Sequence, residues 1–173
     1  MKESLRKKYL TNRKGISDER REGAQKALLP KLEAMTEGYK NILSYSSFGS
    51  EVSMHLFNRF LQGEGRLCLP RIEGQSLVPY AVSDMEKQLI TFSHKFLEPD
   101  DSCRKSTQID LVLVPGVAFD KDGARVGFGR GFYDKYLEKT EVKSIGICFK
   151  EQVANEILTL EEHDIPMESL CIV

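Results

Sequence analysis

Three things are scarce in this chain, and each scarcity removes a class of function. No run of about eighteen apolar residues occurs in its 173 positions, so no segment is long enough to cross a bilayer as a helix. Nothing reads as a signal peptide, and the expected location is the cytoplasm. Charge of one sign is also missing. The chain has 25 Lys and Arg against 26 Asp and Glu, and a formal net charge of −1 gives no broad field for nucleic acid or a membrane surface. Basic residues near the N-terminus are not interleaved with aromatics in the manner of a nucleic-acid surface. A polyanion must therefore be gripped locally. The four cysteines, Cys68, Cys103, Cys148 and Cys171, include no C-x-x-C pair, which excludes a disulfide framework or zinc ribbon. Cys68, Cys148 and Cys171 lie in short apolar runs and read as buried small hydrophobes, whereas Cys103 reads as exposed.

What is present is an ordinary globular composition, 40% apolar and 29% charged, at a length that suits one domain over residues 1–173. The opening "MKESLRKKYLTNRKG" is helical and ends at Gly15, with Lys2 and Arg6 on one face. Ser17, Asp18 and Glu19 form a cap and acidic first turn for a second helix, carried by Ala24, Leu28, Leu32 and Met35. Pro30 should kink that helix or mark its late turns. "NILSYSSFGS" reads as a strand running into a turn, and a helix is expected from about Glu51 to Leu61. "RLCLP" and "LVPYAV" are strands, and residues 83–109 are mostly loop and short elements. "IDLVLVPGVAF" reads as one strand buried on both faces, "GFYDKYLEK" as a helix, and "KSIGICF" and "SLCIV" as further strands. Strands alternating with helices predict an α/β domain, a mostly parallel sheet flanked by helices, with ligands beyond the carboxyl ends of its strands.

The stretch "RVGFGRGFYD", residues 125–134, concentrates the chemistry. Gly127, Gly129 and Gly131 fit neither the dinucleotide fingerprint nor a Walker A loop. Glycines just before a helix leave backbone N–H groups open to an anion, and Arg125 and Arg130 add donors suited to phosphate. Glycines alone would be no more than a turn. Asp134 either complements the helix dipole or holds a Mg²⁺ that accompanies a nucleotide. Phe128, Phe132, Tyr133 and Tyr136 are either core or the wall for a flat ring. Glu51 is either a favourable charge at a helix N-terminus or a carboxylate that contacts substrate. In "EEHDIP", His163 and Asp164 form either a structural loop or a metal or acid–base site, and a single His-Asp pair, lacking ligand spacing, favours the loop. His55 and His94 stand isolated. "DKDG" lacks the remaining positions of a calcium loop, which excludes that metal.

The motif "LVLVPGVAFDKDGARVGFGRGFYDKYL", with "KESLR", "SFGSEV", "LPRIEG" and "EEHDIPMES", resembles the 5-formyltetrahydrofolate cyclo-ligase family over nearly the whole chain. The resemblance implies a single α/β domain related to sugar-phosphate isomerase and CoA-transferase-like folds. It also implies Mg²⁺-ATP-dependent cyclisation of 5-formyltetrahydrofolate to 5,10-methenyltetrahydrofolate, with ADP and phosphate released. The expected partners are small molecules, and the expected state is a monomer. Residue by residue, it places Lys2, Arg6, Arg125, Gly127, Gly129, Arg130, Gly131, Phe132 and Tyr133 at the nucleotide. It places Glu51, Phe128, Gly129, Arg130, Gly131 and Phe132 at the folate, and Asp134 and Asp164 at the metal. Arg125, Arg130 and Tyr133 are the expected catalytic residues. Two positions depart from the family pattern: Phe132 stands where a tyrosine is common, and Arg130 where glycine or lysine is usual. The alternative reading is a sugar-phosphate or nucleotide-sensing domain on the same fold, without catalysis.

Overall fold

Two faces of one sheet can be read directly from residue parity. In the computed structural model, which describes residues 2–92 and 96–173, Leu111 and Leu113 pack in one apolar cluster while Val112 and Val114 pack in another. Alternating side chains of a strand must point to opposite faces, so a continuous apolar run needs cover on both sides. The chain supplies it with helices.

In order, the elements are α1 (Lys2–Lys14), α2 (Asp18–Met35), β1 (Ile42–Leu43), α3 (His55–Gly63), β2 (Leu67–Glu73), β3 (Ser76–Ala81), β4 (Leu89–Phe92), β5 (Phe96–Pro99) and β6 (Arg104–Lys105). They continue with β7 (Leu111–Pro115), β8 (Ala118–Phe119), β9 (Arg125–Val126), α4 (Phe132–Thr140), β10 (Lys143–Cys148), a 3-10 turn (Lys150–Gln152) and β11 (Ser169–Ile172). The main sheet runs β11-β10-β7-β1-β2-β3-β6, parallel from β11 through β2 and antiparallel at β3 and β6. This is the α/β architecture with a mostly parallel sheet that the pattern predicts. β4 with β5 and β8 with β9 form separate two-stranded ribbons.

Ala24, Leu28 and Leu32 of α2 and Phe57 and Leu61 of α3 pack with Ile42, Leu69, Leu111 and Leu113 on one face. Leu137 of α4 packs with Leu43, Cys68, Val112 and Cys148 on the other. Ser17 caps α2, its Oγ accepting from the Arg20 N–H at 3.2 Å, which is worth about 1 kcal/mol. The helix continues past Pro30 to Met35, so the proline falls in its late turns. A third cluster places Tyr9 of α1 against Val117, Ala118, Ala124 and Val126 of the β8–β9 ribbon.

Three expectations are corrected. The helix expected from Glu51 begins at His55, and the strand before it shrinks to Ile42–Leu43. Ser47 accounts for the difference: its hydroxyl donates to the Val52 carbonyl and accepts from the Met54 N–H, both at 2.8 Å, holding residues 47–54 as a loop. Glu51 is therefore not at a helix N-terminus. The run "IDLVLVPGVAF" breaks between β7 and β8, because Arg13 and Gln152 donate to the Gly116 carbonyl at 3.1 and 2.9 Å and turn the backbone out of the sheet. Finally, Cys103 is buried, not exposed. The turn that follows Asp100, closed by the Cys103 N–H donating to the Asp100 carbonyl at 3.2 Å, folds its thiol against the α2–α3 cluster.

Candidate active site

A cavity of about 950 Å³ opens where β1 and β7 end, and Tyr45, Ser46 and Pro115 lie on its rim. Its lining includes every residue the resemblance assigns: Lys2, Arg6, Glu51, the segment from Arg125 to Asp134, and Asp164. The site therefore gathers residues from both ends of the chain at the carboxyl edge of parallel strands, where open α/β sheets collect ligands.

Residues 127–131 link β9 to α4. Gly131 is the residue before the helix at φ 66°, and Gly129 stands at φ 96°, left-handed conformations that hold the loop over the helix N-terminus. The Arg6 Nε–H donates to the Gly127 carbonyl at 2.8 Å, and a Cβ placed on Gly129 would meet the Arg6 guanidinium at 3.4 Å. One turn earlier on α1, the Lys2 ammonium lies 2.5 Å from Asp164 Oδ2 and 3.1 Å from Glu161 Oε2. Burial lowers the Lys2 pKa, but its bonds to these two carboxylates outweigh that effect and hold it above the usual lysine value. For Asp164, burial raises the carboxyl pKa, while the Glu161 N–H and Lys2 outweigh burial and leave it low.

Arg125 is a buried cation whose Nη2 donates to Asp134 Oδ2 at 2.8 Å and whose Nη1 donates to the Pro115 carbonyl at 3.3 Å. Its Nε is buried with no partner among the described residues. The guanidinium lies 5.9 Å from the Tyr133 ring centre. Burial, then the charge of Glu51, pushes the Tyr133 hydroxyl above its ordinary pKa, so it stays protonated at neutral pH. Arg130 and Phe128 are exposed on the loop, and Phe132 is half-buried. Glu51 Oε2 accepts from the Phe48 N–H at 2.8 Å. Its carboxyl is raised by burial, against the lowering effects of that N–H and of Arg13.

Two residues escaped the sequence reading. Arg13 is buried, donates to Ser50 Oγ at 2.9 Å and lies 5.5 Å from the Phe128 ring centre. Its signal was available: Lys2, Arg6, Tyr9 and Arg13 repeat at spacings of four, three and four, one stripe of a helix. Glu98 is a buried carboxylate on the cavity wall, and a lone acid in "FLEP" carries no comparable pattern. His163 is exposed beside Glu161 at 3.3 Å, and ligand atoms of Glu161, His163 and Asp164 lie within 4.8 Å of one another. His55 begins α3 away from the cavity lining, and His94 lies outside the described residues. Asp120 of the "DKDG" turn is structural, accepting from the N–H groups of Asp122, Ala124 and Leu158.

The carboxylates fit a magnesium ion that travels with phosphate. The Ile165 N–H donates to Asp134 Oδ1 at 3.3 Å, which brings the segment carrying Asp164 against Asp134. Hard oxygen donors, one or two in number beside substrate phosphates, are the usual magnesium set. Their present partners, Arg125 and Lys2, are themselves suited to phosphate oxygens.

The family model that matches residues 1–173 is that of the 5-formyltetrahydrofolate cyclo-ligase family. A Saccharomyces cerevisiae 5-formyltetrahydrofolate cyclo-ligase is 42% identical over 88 residues, a match spanning 46% of this chain and 40% of that protein. The Mus musculus enzyme of the same name is 30% identical over 147 residues, 76% of this chain and 72% of its own length. Among solved structures, the 5,10-methenyltetrahydrofolate synthetase of Aquifex aeolicus superposes with a TM-score of 0.88 at 30% identity, covering 99% of this chain and 89% of that one.

Proposed function

The chain belongs to the 5-formyltetrahydrofolate cyclo-ligase family, and from that premise we propose that it converts 5-formyltetrahydrofolate and ATP to 5,10-methenyltetrahydrofolate, ADP and phosphate. One observation carries the reading: Lys2, Arg6, Arg125 and Arg130 meet a glycine loop and two carboxylates on the wall of a cavity large enough for two substrates. A sensing module would use the loop but has no need for Asp134 and Asp164 beside it.

The formyl oxygen of an amide is a poor leaving group, so ring closure needs it activated. Transfer of the ATP γ-phosphoryl to that oxygen gives an iminium phosphate and ADP; N10 then attacks the formyl carbon, and phosphate leaves together with the N10 proton. Phosphoryl transfer rests chiefly on positioning and charge stabilisation. The loop amides, Arg125 and Arg130 receive the developing charge, and Lys2 and Arg6 hold the polyphosphate from α1. A magnesium ion, held by Asp134 and Asp164, would neutralise phosphate oxygens. Each of these carboxylates now holds a cation, so phosphate binding exchanges partners: Arg125 and Lys2 turn from carboxylate to phosphate. Tyr133, protonated at neutral pH, has a hydroxyl hydrogen to donate to a phosphate oxygen. Glu51 orients the folate.

Mixing the purified protein with 5-formyltetrahydrofolate, ATP and Mg²⁺ should produce the methenyl chromophore together with ADP. Absence of the chromophore under these conditions overturns the proposal.

A further inference from the structure

The phosphate chemistry accounts for one side of the cavity and leaves Glu98 unexplained. Glu98 is 4% exposed, yet it belongs to the cavity lining. Its surroundings there are apolar: Phe92, Phe96, Pro70, Ile72 and Leu77 line the same space. The Phe92 and Phe96 ring centres are 5.6 Å apart, and Phe48 meets Phe96 edge-on at 6.3 Å. Among the described residues the Glu98 carboxylate has one hydrogen bond, from the Ile72 N–H to Oε1 at 3.1 Å. No ion pair joins it there; Arg71, the cation whose charge reaches it, bonds Asp101 at 2.7 Å.

A carboxylate has about four acceptor directions, and Ile72 fills one. Burying the remainder among aromatic rings is costly unless a ligand supplies donors. Two parallel N–H bonds on the edge of a flat ring complement that arrangement, and the rings beside it suit the ligand's faces. An amidine-like N–H–C–NH₂ edge is the matching chemistry. The pterin of 5-formyltetrahydrofolate carries one, at N3–H and the 2-amino group.

Resting on the cyclo-ligase reading, we propose that Glu98 binds this N3–H and 2-amino edge, with Phe92 and Phe96 against the ring. Glu98 thereby fixes the pterin so that its formyl group faces the glycine loop. It is a specificity residue for the folate, distinct from Glu51, whose charge acts on Tyr45 and Tyr133.

Glu98→Gln tests this, because the amide oxygen still accepts from Ile72 and the docking of β5 on β2 survives. The KM for 5-formyltetrahydrofolate should rise at least about tenfold, as expected for losing hydrogen bonds to a buried charge, with the KM for ATP unchanged. An analogue with methyl in place of the 2-amino group should bind the parent protein about as weakly as Glu98→Gln binds the natural compound, and the substitution should not weaken it further. An unchanged folate KM, or equal discrimination against the analogue by both proteins, overturns the proposal. If the parent protein forms no methenyl product, the cyclo-ligase reading fails separately. Equilibrium binding of 5-formyltetrahydrofolate to the two proteins then decides the role of Glu98: weaker binding by Glu98→Gln upholds it, and equal binding removes it.

Discussion

Charged side chains at this cavity divide into those that folding satisfies and those it leaves in debt to a ligand. Arg125 has Asp134, and Lys2 has Asp164 and Glu161. Glu51 and Glu98 have one N–H each and no ion pair among the described residues. Burial raises both carboxyl pKa values above those of the unfolded chain. For an acid with a raised folded pKa, folding favours the protonated form. The stabilising contribution is complete below the ordinary carboxyl value and is lost as pH rises through the raised one. Replacing Glu51 with Gln keeps the acceptor for Phe48 and removes the buried charge. The urea midpoint of Glu51→Gln should therefore exceed that of the parent at pH 7, and the gap should close by about pH 4, below the usual glutamate pKa. A midpoint lower than the parent's at pH 7 would show that the charge is compensated in the folded protein.

Helices and long strands were legible because their causes are local: the Ser17 cap, the spacing of Leu28 and Leu32, and the apolar run at 111–115 all lie within a few residues. The loop at 47–54 was not, since Ser47 competes with the backbone for hydrogen bonds in a way that hydrophobic period does not record. A comparable tie holds the segment at 161–167. The Met167 N–H donates to the Gly123 carbonyl at 2.8 Å, and a Cβ on Gly123 would lie 2.1 Å from the Met167 carbonyl oxygen, with φ at 86°. The obstacle is backbone and cannot swing aside. Gly123→Ala should lower stability by on the order of 3 kcal/mol, from crowding and left-handed strain together. It should also weaken nucleotide binding, because Asp164 lies on the displaced segment. Urea titration and nucleotide titration check the two effects independently, and an alanine variant with parental stability would show that the segment yields without cost.

Across the whole molecule, the family motif made the glycine-loop side of the cavity readable, because its residues sit in one stretch plus a helical pair. Glu98 stayed hidden, since its one hydrogen-bond donor among the described residues, Ile72, lies 26 positions away on β2. The thiols report on the same global packing. All four are buried, and burial raises each pKa, Cys148 to about 12 and Cys171 to about 11. Iodoacetamide should therefore label the native protein negligibly and label all four sites along the urea transition. Rapid labelling of Cys103 alone would show that its turn opens without unfolding.

The bond between Lys2 and Asp164 spans 162 positions. Closing so long a loop costs chain entropy that no local contact repays, so this pair joins the native structure late in folding.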